Sequence, residues 1–143
     1  MAIAEAQGFA RRFQMIGDIM PNLTIGVVMY GERLAVKDRK MGERFMAAFH
    51  KSNEFLRARI QDPAGRKEIA VMYQKLMPIE NPAMYEKVAL GVGRNDMIPN
   101  VDGPNGLTAQ RDWYAKQGLV PNPPDLKDAV DSSFARAAAQ AAK

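Results

Sequence analysis

The fold turns on the stretch Leu23-Thr24-Ile25-Gly26-Val27-Val28-Met29-Tyr30-Gly31. Leu23, Ile25, Val27, Val28 and Met29 form an apolar run too short for an ordinary helix. It is rich in β-branched side chains and closed by Tyr30-Gly31, which predicts a buried strand over 23–30. Leu34-Ala35-Val36 either adds a short second strand or leads into the next helix. That helix is expected over 39–60. Asp38 suits its cap, because a carboxylate there accepts from backbone N–H groups free in the first turn. Met41, Phe45, Ala48, Phe49, Ser52 and Leu56 recur on one stripe at three- and four-residue spacing. A strand feeding a long amphipathic helix is half of an α/β layer, and such a strand needs neighbours.

Few are in sight. A first helix is expected over 3–16, with Phe9, Phe13 and Ile16 on one face and glycines at Gly8 and Gly17 weakening its ends. Asp62-Pro63 and Asn81-Pro82 each place a capping residue before a proline that suits the first helical position. They open helices over 63–77, with Ile69, Met72, Tyr73 and Leu76 on one face, and over 82–90, with Tyr85, Val88 and Ala89. Residues 91–106 are dense in Gly, Asn, Asp and Pro and read as a long loop. Gly91-Val92-Gly93 lacks the third glycine and the preceding strand of a phosphate-binding fingerprint. A helix follows over 107–117, stopped by Gly118, and a last one over 125–140. The chain by itself is thus expected to be mostly helical, with one or two short strands near 23–36.

Composition bounds the function. The 143 residues have the length of one domain and are 47% hydrophobic and 25% charged, ordinary for a globular fold. No run approaches the ~18 apolar residues of a membrane span. There is no cysteine, so disulfides and thiolate metal sites are excluded. The start, Met-Ala-Ile-Ala-Glu-Ala-Gln-Gly, lacks the basic and apolar regions of a signal peptide. Either the chain stays in the cytoplasm or a leader lies upstream. The net charge of +4 falls in residues 1–60, where ten Lys/Arg meet six Asp/Glu; residues 61–143 carry ten of each. Nucleic-acid binders cluster their cations more tightly and interleave aromatic residues, so no nucleic-acid partner is expected. An anionic small ligand fits the bias as well as plain solvation does.

The succession Tyr30-Gly31, Arg44-Phe45-Met46-Ala47-Ala48, Arg66-Lys67-Glu68-Ile69-Ala70, Asn81-Pro82-Ala83-Met84-Tyr85, Pro99-Asn100-Val101-Asp102, Gln110-Arg111-Asp112-Trp113-Tyr114, Gly118-Leu119-Val120 and Val130-Asp131-Ser132-Ser133-Phe134 has a familiar order. It resembles the C-terminal part of ABC-transporter substrate-binding proteins of the nitrate/sulfonate/taurine group, including the thiamine-precursor-binding relatives. The resemblance runs from about Glu5 to Ala138. It implies the α/β type II periplasmic-binding-protein fold, in which two lobes close over a small ligand. In that mapping the chain is one unit, and 23–30 is the strand returning toward the first lobe. Most of that lobe, and the leader, would lie outside this chain. The resemblance further implies a periplasmic setting, ABC permease subunits as partners, a small ligand such as a sulfonate, nitrate or aromatic acid, and no catalysed reaction. An open strand edge would invite a homodimer.

Ligands of open α/β sheets bind at the carboxyl ends of strands, which singles out Tyr30, Gly31, Glu32 and Arg33. Arg33 would pair with an oxyanion through its planar fork, and Tyr30 would stack on an apolar ligand. The bland alternative makes Tyr30 core and Glu32 and Arg33 solvated turn residues. Glu5 resembles an acidic loop bordering the cleft, although the proline that follows it in relatives is Ala6 here. His50, the single histidine, has no Ser or Cys spaced to make a triad, so no catalytic residue is expected. Asp125, Asp128 and Asp131 sit at helical spacing near a helix start, where carboxylates cap and complement the dipole. Asp96 and Asp102 lack the spacing of a calcium loop. No metal site and no cofactor is expected. Two other readings stand beside the receptor: a small helical protein-interaction module without a small ligand, and a synthase-like enzyme of the same fold.

Overall fold

A computed structural model describes residues 4–5, 7–76, 92, 94 and 96–141. Every regular element among them is helical, so the α/β expectation is overturned. The elements are α1 (Ile16–Ile19), a π-helical turn (Arg33–Lys37), α2 (Arg39–Arg59), α3 (Pro63–Leu76), α4 (Leu107–Lys116), α5 (Leu126–Ala129) and α6 (Ser133–Ala141). The helix expected over 82–90 lies outside the described residues. No helix among the described residues is long and apolar enough to cross a membrane.

The strand over 23–30 does not form. Its residues are irregular, and Ile25 and Met29 are 77% and 87% exposed. The physical reason is the absence of a neighbour. A strand exists by hydrogen bonding across to another, and no described segment offers a pairing edge. Ile25 to Met29 hydrogen-bond with no described residue. The short second strand is replaced as well. The Asp38 N–H donates to the Arg33 carbonyl at 2.7 Å, an i→i+5 bond that closes a π turn over Leu34–Val36. The helix expected over 3–16 is also absent beyond its first residues. Gly8 adopts a φ of +81°, and the chain from Gly8 to Met15 is turn and coil.

Where polar groups are available to cap, the helices start at the expected places. Asp38 accepts from the Met41 N–H at 3.1 Å, and Asp62 from the Gly65 N–H at 2.8 Å. Gly118 ends α4 at a φ of +71°. Its N–H donates to the Ala115 carbonyl and the Leu119 N–H to Tyr114, the paired bonds of a Schellman stop. The last helix is two. Val130 is extended (φ −114°, ψ 105°), and Asp131 accepts from the Ser133 N–H to begin α6 anew.

The described chain divides into two compact units. One comprises residues 1–13 and 51–95, with the C-terminal part of α2 and all of α3. Ile69, 2% exposed, is its buried centre, with Ala70 beside it. There the Arg59 guanidinium stacks on Phe55, 3.6 Å from its ring centroid, and pairs with Glu68 at 2.7 Å. The other unit comprises residues 14–50 and 96–143. Its core is Met46, Phe134 and Ala138, with Tyr30 and Ala47 packed against them.

Candidate functional site

The residues singled out in the sequence fall in both units. Tyr30 to Arg33 belong to the second unit and Glu5 to the first. Tyr30 is structural. Its hydroxyl donates to the Gly42 carbonyl at 2.7 Å, and its ring meets Phe134 edge-on at 4.9 Å and Phe45 at 5.9 Å. Desolvation raises the Tyr30 pKa above the ordinary phenol value. The neutral phenol is therefore the form the fold accepts. That stability is complete below about pH 10 and is lost as pH rises through the raised value.

Gly31 opens the turn by accepting from the Leu34 and Ala35 N–H groups through its carbonyl. Glu32 is exposed and paired with Lys37 at 3.3 Å, a solvated contact of small energetic worth. The Arg33 side chain is exposed and makes no hydrogen bond or ion pair with a described residue. Glu5 holds Arg12 at 2.9 Å, through both its side-chain and backbone nitrogens. Its carboxylate is thus occupied in closing the turn after residues 4–5. Of the expected set, Arg33 alone is left with an open charged group.

His50 is 3% exposed in the middle of α2, too buried for a substrate to reach. Asp125 and Asp131 act as caps: Asp125 accepts from the Lys127 N–H at 2.9 Å, and Asp131 from Ser133. Trp113 and Tyr114 are half-exposed and pack edge-on against each other at 5.1 Å.

What sequence reasoning missed is a polar hub. Thr24, Asn100, Asn105 and Gln110 tie the loop before α4 to residues 21–24. The Asn100 N–H donates to the Thr24 hydroxyl at 3.1 Å, and its side-chain amide donates to the Asn22 and Pro104 carbonyls at 3.0 and 2.8 Å. Asn105 donates to the Pro21 carbonyl, and Gln110 to Thr24 at 3.1 Å. Loop asparagines carry no periodic signal, so only their density in turn residues marked the region.

Each unit has a concavity of its own. A groove of about 370 Å³ runs between α2 and α3, lined by Phe55, Leu56, Ile69, Met72 and Leu76 with Lys51 at its rim. A cleft of about 690 Å³ lies around α4 and α5, lined in part by Asp102, Thr108, Arg111, Asp125 and Lys127. Arg111 is committed there: it bonds Asp112 at 2.7 Å and the Pro124 carbonyl at 3.3 Å. The Thr108 hydroxyl donates to Asp102 at 2.8 Å. The lining sets three carboxylates, Asp102, Asp112 and Asp125, against two cations, Arg111 and Lys127, an excess of one negative charge that does not favour an anionic ligand. No family model matches this chain, and comparison with curated proteins and with solved structures finds no significant match.

Proposed function

We propose that this chain is the C-terminal portion of a solute-binding component of an ABC importer, one that captures a small anionic ligand such as a sulfonate, nitrate or aromatic acid in the periplasm and delivers it to permease subunits. Capture, with no covalent chemistry, is the mechanism. The reading grows from the ordered motifs between Glu5 and Ala138. Arg33 is the observation that carries it in three dimensions. A guanidinium that is exposed and unpaired among the described residues, directly after an apolar arm, has its full donor fork available to an oxyanion. Closure of a companion lobe would strengthen that contact by excluding water.

The test is calorimetric titration of the full chain with a sulfonate, nitrate and an aromatic carboxylate. Binding in the millimolar range, about 4 kcal/mol, is expected because the chain supplies one wall of a cleft. Arg33→Gln should abolish it. A flat response across the panel, or binding unchanged in Arg33→Gln, overturns the reading.

A second reading, a helical interaction module without a small ligand, is favoured by the apolar groove between α2 and α3 and by exposed Phe9 and Phe13, the latter 92% exposed. Apolar surface of this kind on a folded chain marks contact with other macromolecules.

A further inference from the structure

Asn105-Gly106 is the single Asn-Gly pair in the sequence. The fold demands both of its members. Asn105 holds a φ of +59°, a left-handed backbone that asparagine adopts more readily than most residues. Gly106 is buried directly before α4, and a Cβ there would stand 2.5 Å from the Val101 carbonyl oxygen and 2.8 Å from that of Gly103. A larger residue would have to displace that backbone. Glycine is also the neighbour beside which an asparagine amide is most labile, because no side chain screens the amide nitrogen that follows. The packing of this loop thus fixes a chemically weak point in the chain.

We propose that Asn105 is a site of spontaneous deamidation, and that losing its amide releases residues 21–24 from the loop before α4. The Gly106 backbone nitrogen gives its proton to solvent and attacks Asn105 Cγ. A C–N bond forms, the Cγ–Nδ2 bond breaks, and Nδ2 takes up a proton and leaves as ammonia. Water then opens the five-membered imide at either carbonyl, giving aspartate or its β-linked isomer. One water is consumed and one ammonia released, so no co-reactant other than water is needed.

The geometry sets both the brake and the consequence. The Gly106 N–H donates to the Gly103 carbonyl at 2.9 Å, and the Asn105 amide to the Pro21 carbonyl at 3.0 Å. The Asn105 carbonyl accepts from Gln110 at 3.2 Å. Nucleophile and leaving group are both engaged, so the reaction waits on local opening of the loop. The contact between Asn105 and Pro21 is exposed, so water reaches it. Once the amide is an acid, the donor to Pro21 is gone and a carboxylate faces a carbonyl, two acceptors with no hydrogen between them. The β-linked product also lengthens the backbone by a carbon just ahead of Gly106, where packing is already tight. Asn100 in the same loop precedes Val101, whose branched side chain screens the amide nitrogen. The inference does not rest on the ligand-binding reading and survives its failure.

Incubation of the full chain at mildly alkaline pH, followed by tryptic mass spectrometry, tests it. Asn95 to Arg111 form one tryptic peptide, so Asn100 and Asn105 are read together. The expected result is the mass gain of an amide becoming an acid, placed by fragmentation at Asn105 and not at Asn100. It should be faster as pH rises, because the nitrogen attacks only without its proton. Thr24→Val and Gln110→Ala each remove bonds of the polar hub without altering the pair. Each should speed the gain about fivefold or more, with helical content kept in circular dichroism. Asn105→Asp makes the aged product directly, and amide exchange at Asn100, whose N–H is held by the Thr24 hydroxyl, should quicken severalfold. No gain at Asn105, an equal gain at Asn100, or hub variants no faster than the parent overturns the site. Unchanged exchange in Asn105→Asp overturns the release.

Discussion

At Gly42 a single hydrogen atom makes the packing possible. A Cβ there would stand 2.6 Å from the Leu34 carbonyl oxygen, 3.0 Å from Phe134 and 3.3 Å from Tyr30. The Gly42 carbonyl also receives the Tyr30 hydroxyl. Gly42→Ala should therefore cost about 1–3 kcal/mol, as overpacking does in well-filled interiors. Urea unfolding of the two proteins checks it; an unchanged midpoint would mean that Tyr30 does not seat on α2. The sequence marked Tyr30 as a residue of interest, with ligand stacking and core packing both open. An aromatic residue before a glycine reads equally as a ligand platform or a core anchor, and the partners that decide, Gly42 and Phe134, lie far along the chain. The exposure of Arg33 was legible, because a solvated cation needs no distant partner to be recognised.

Among the elements, α2 shows how periodicity locates a helix and misplaces its face. The length and the Asp38 cap were readable from local residues. The stripe Met41, Phe45, Phe49 was expected inward, yet all three are exposed by about two-fifths or more. The buried line is Gly42, Met46, His50 and Asn53, one residue over. A face that admits close neighbours carries small and polar side chains, which a hydrophobic count passes over. The join between α5 and α6 was equally hidden, because residues 125–140 keep a helical pattern and Asp131 breaks it only through its bond to Ser133. The Ser133 hydroxyl and N–H, with further help from Arg39, hold the Asp131 carboxyl below the ordinary carboxylate range. A lowered value contributes stability that is present above about pH 4 and lost as pH falls through the folded value. Acid titration of thermal stability should show this loss, and Asp131→Asn should flatten it below about pH 4. Parallel curves for the two proteins would remove Asp131 from the account of how α6 begins.

At the scale of the whole molecule, the notable quantity is how little of the described chain is buried. Although 47% of the chain is hydrophobic, only Met46, Ile69, Ala70, Phe134, Ala135 and Ala138 form a buried apolar core among the described residues. Among the described residues, one unit thus hangs on Ile69 and the other on Met46 and Phe134. Ile69→Ala should cost about 2–5 kcal/mol and Phe134→Ala about 3–5 kcal/mol. Those losses rival the whole stability of a small domain. Circular dichroism melts of either variant should show a chain largely unfolded at 37 °C; a full native melt in both would mean that stability comes from elsewhere. This thinness is also why the fold class could not be read from the stretch at 23–30. An apolar, β-branched run signals that burial is favourable, not that this chain supplies the cover.

The arm held between Thr24 and Tyr30 has a consequence for handling the protein. Proteases bind their substrates stretched out, with backbone groups free to be gripped. Most folded chains must locally melt to present such a stretch, whereas residues 25–29 present it already. Limited digestion with an enzyme that cuts after small aliphatic side chains should nick beside Val27 or Val28 before any helix is touched.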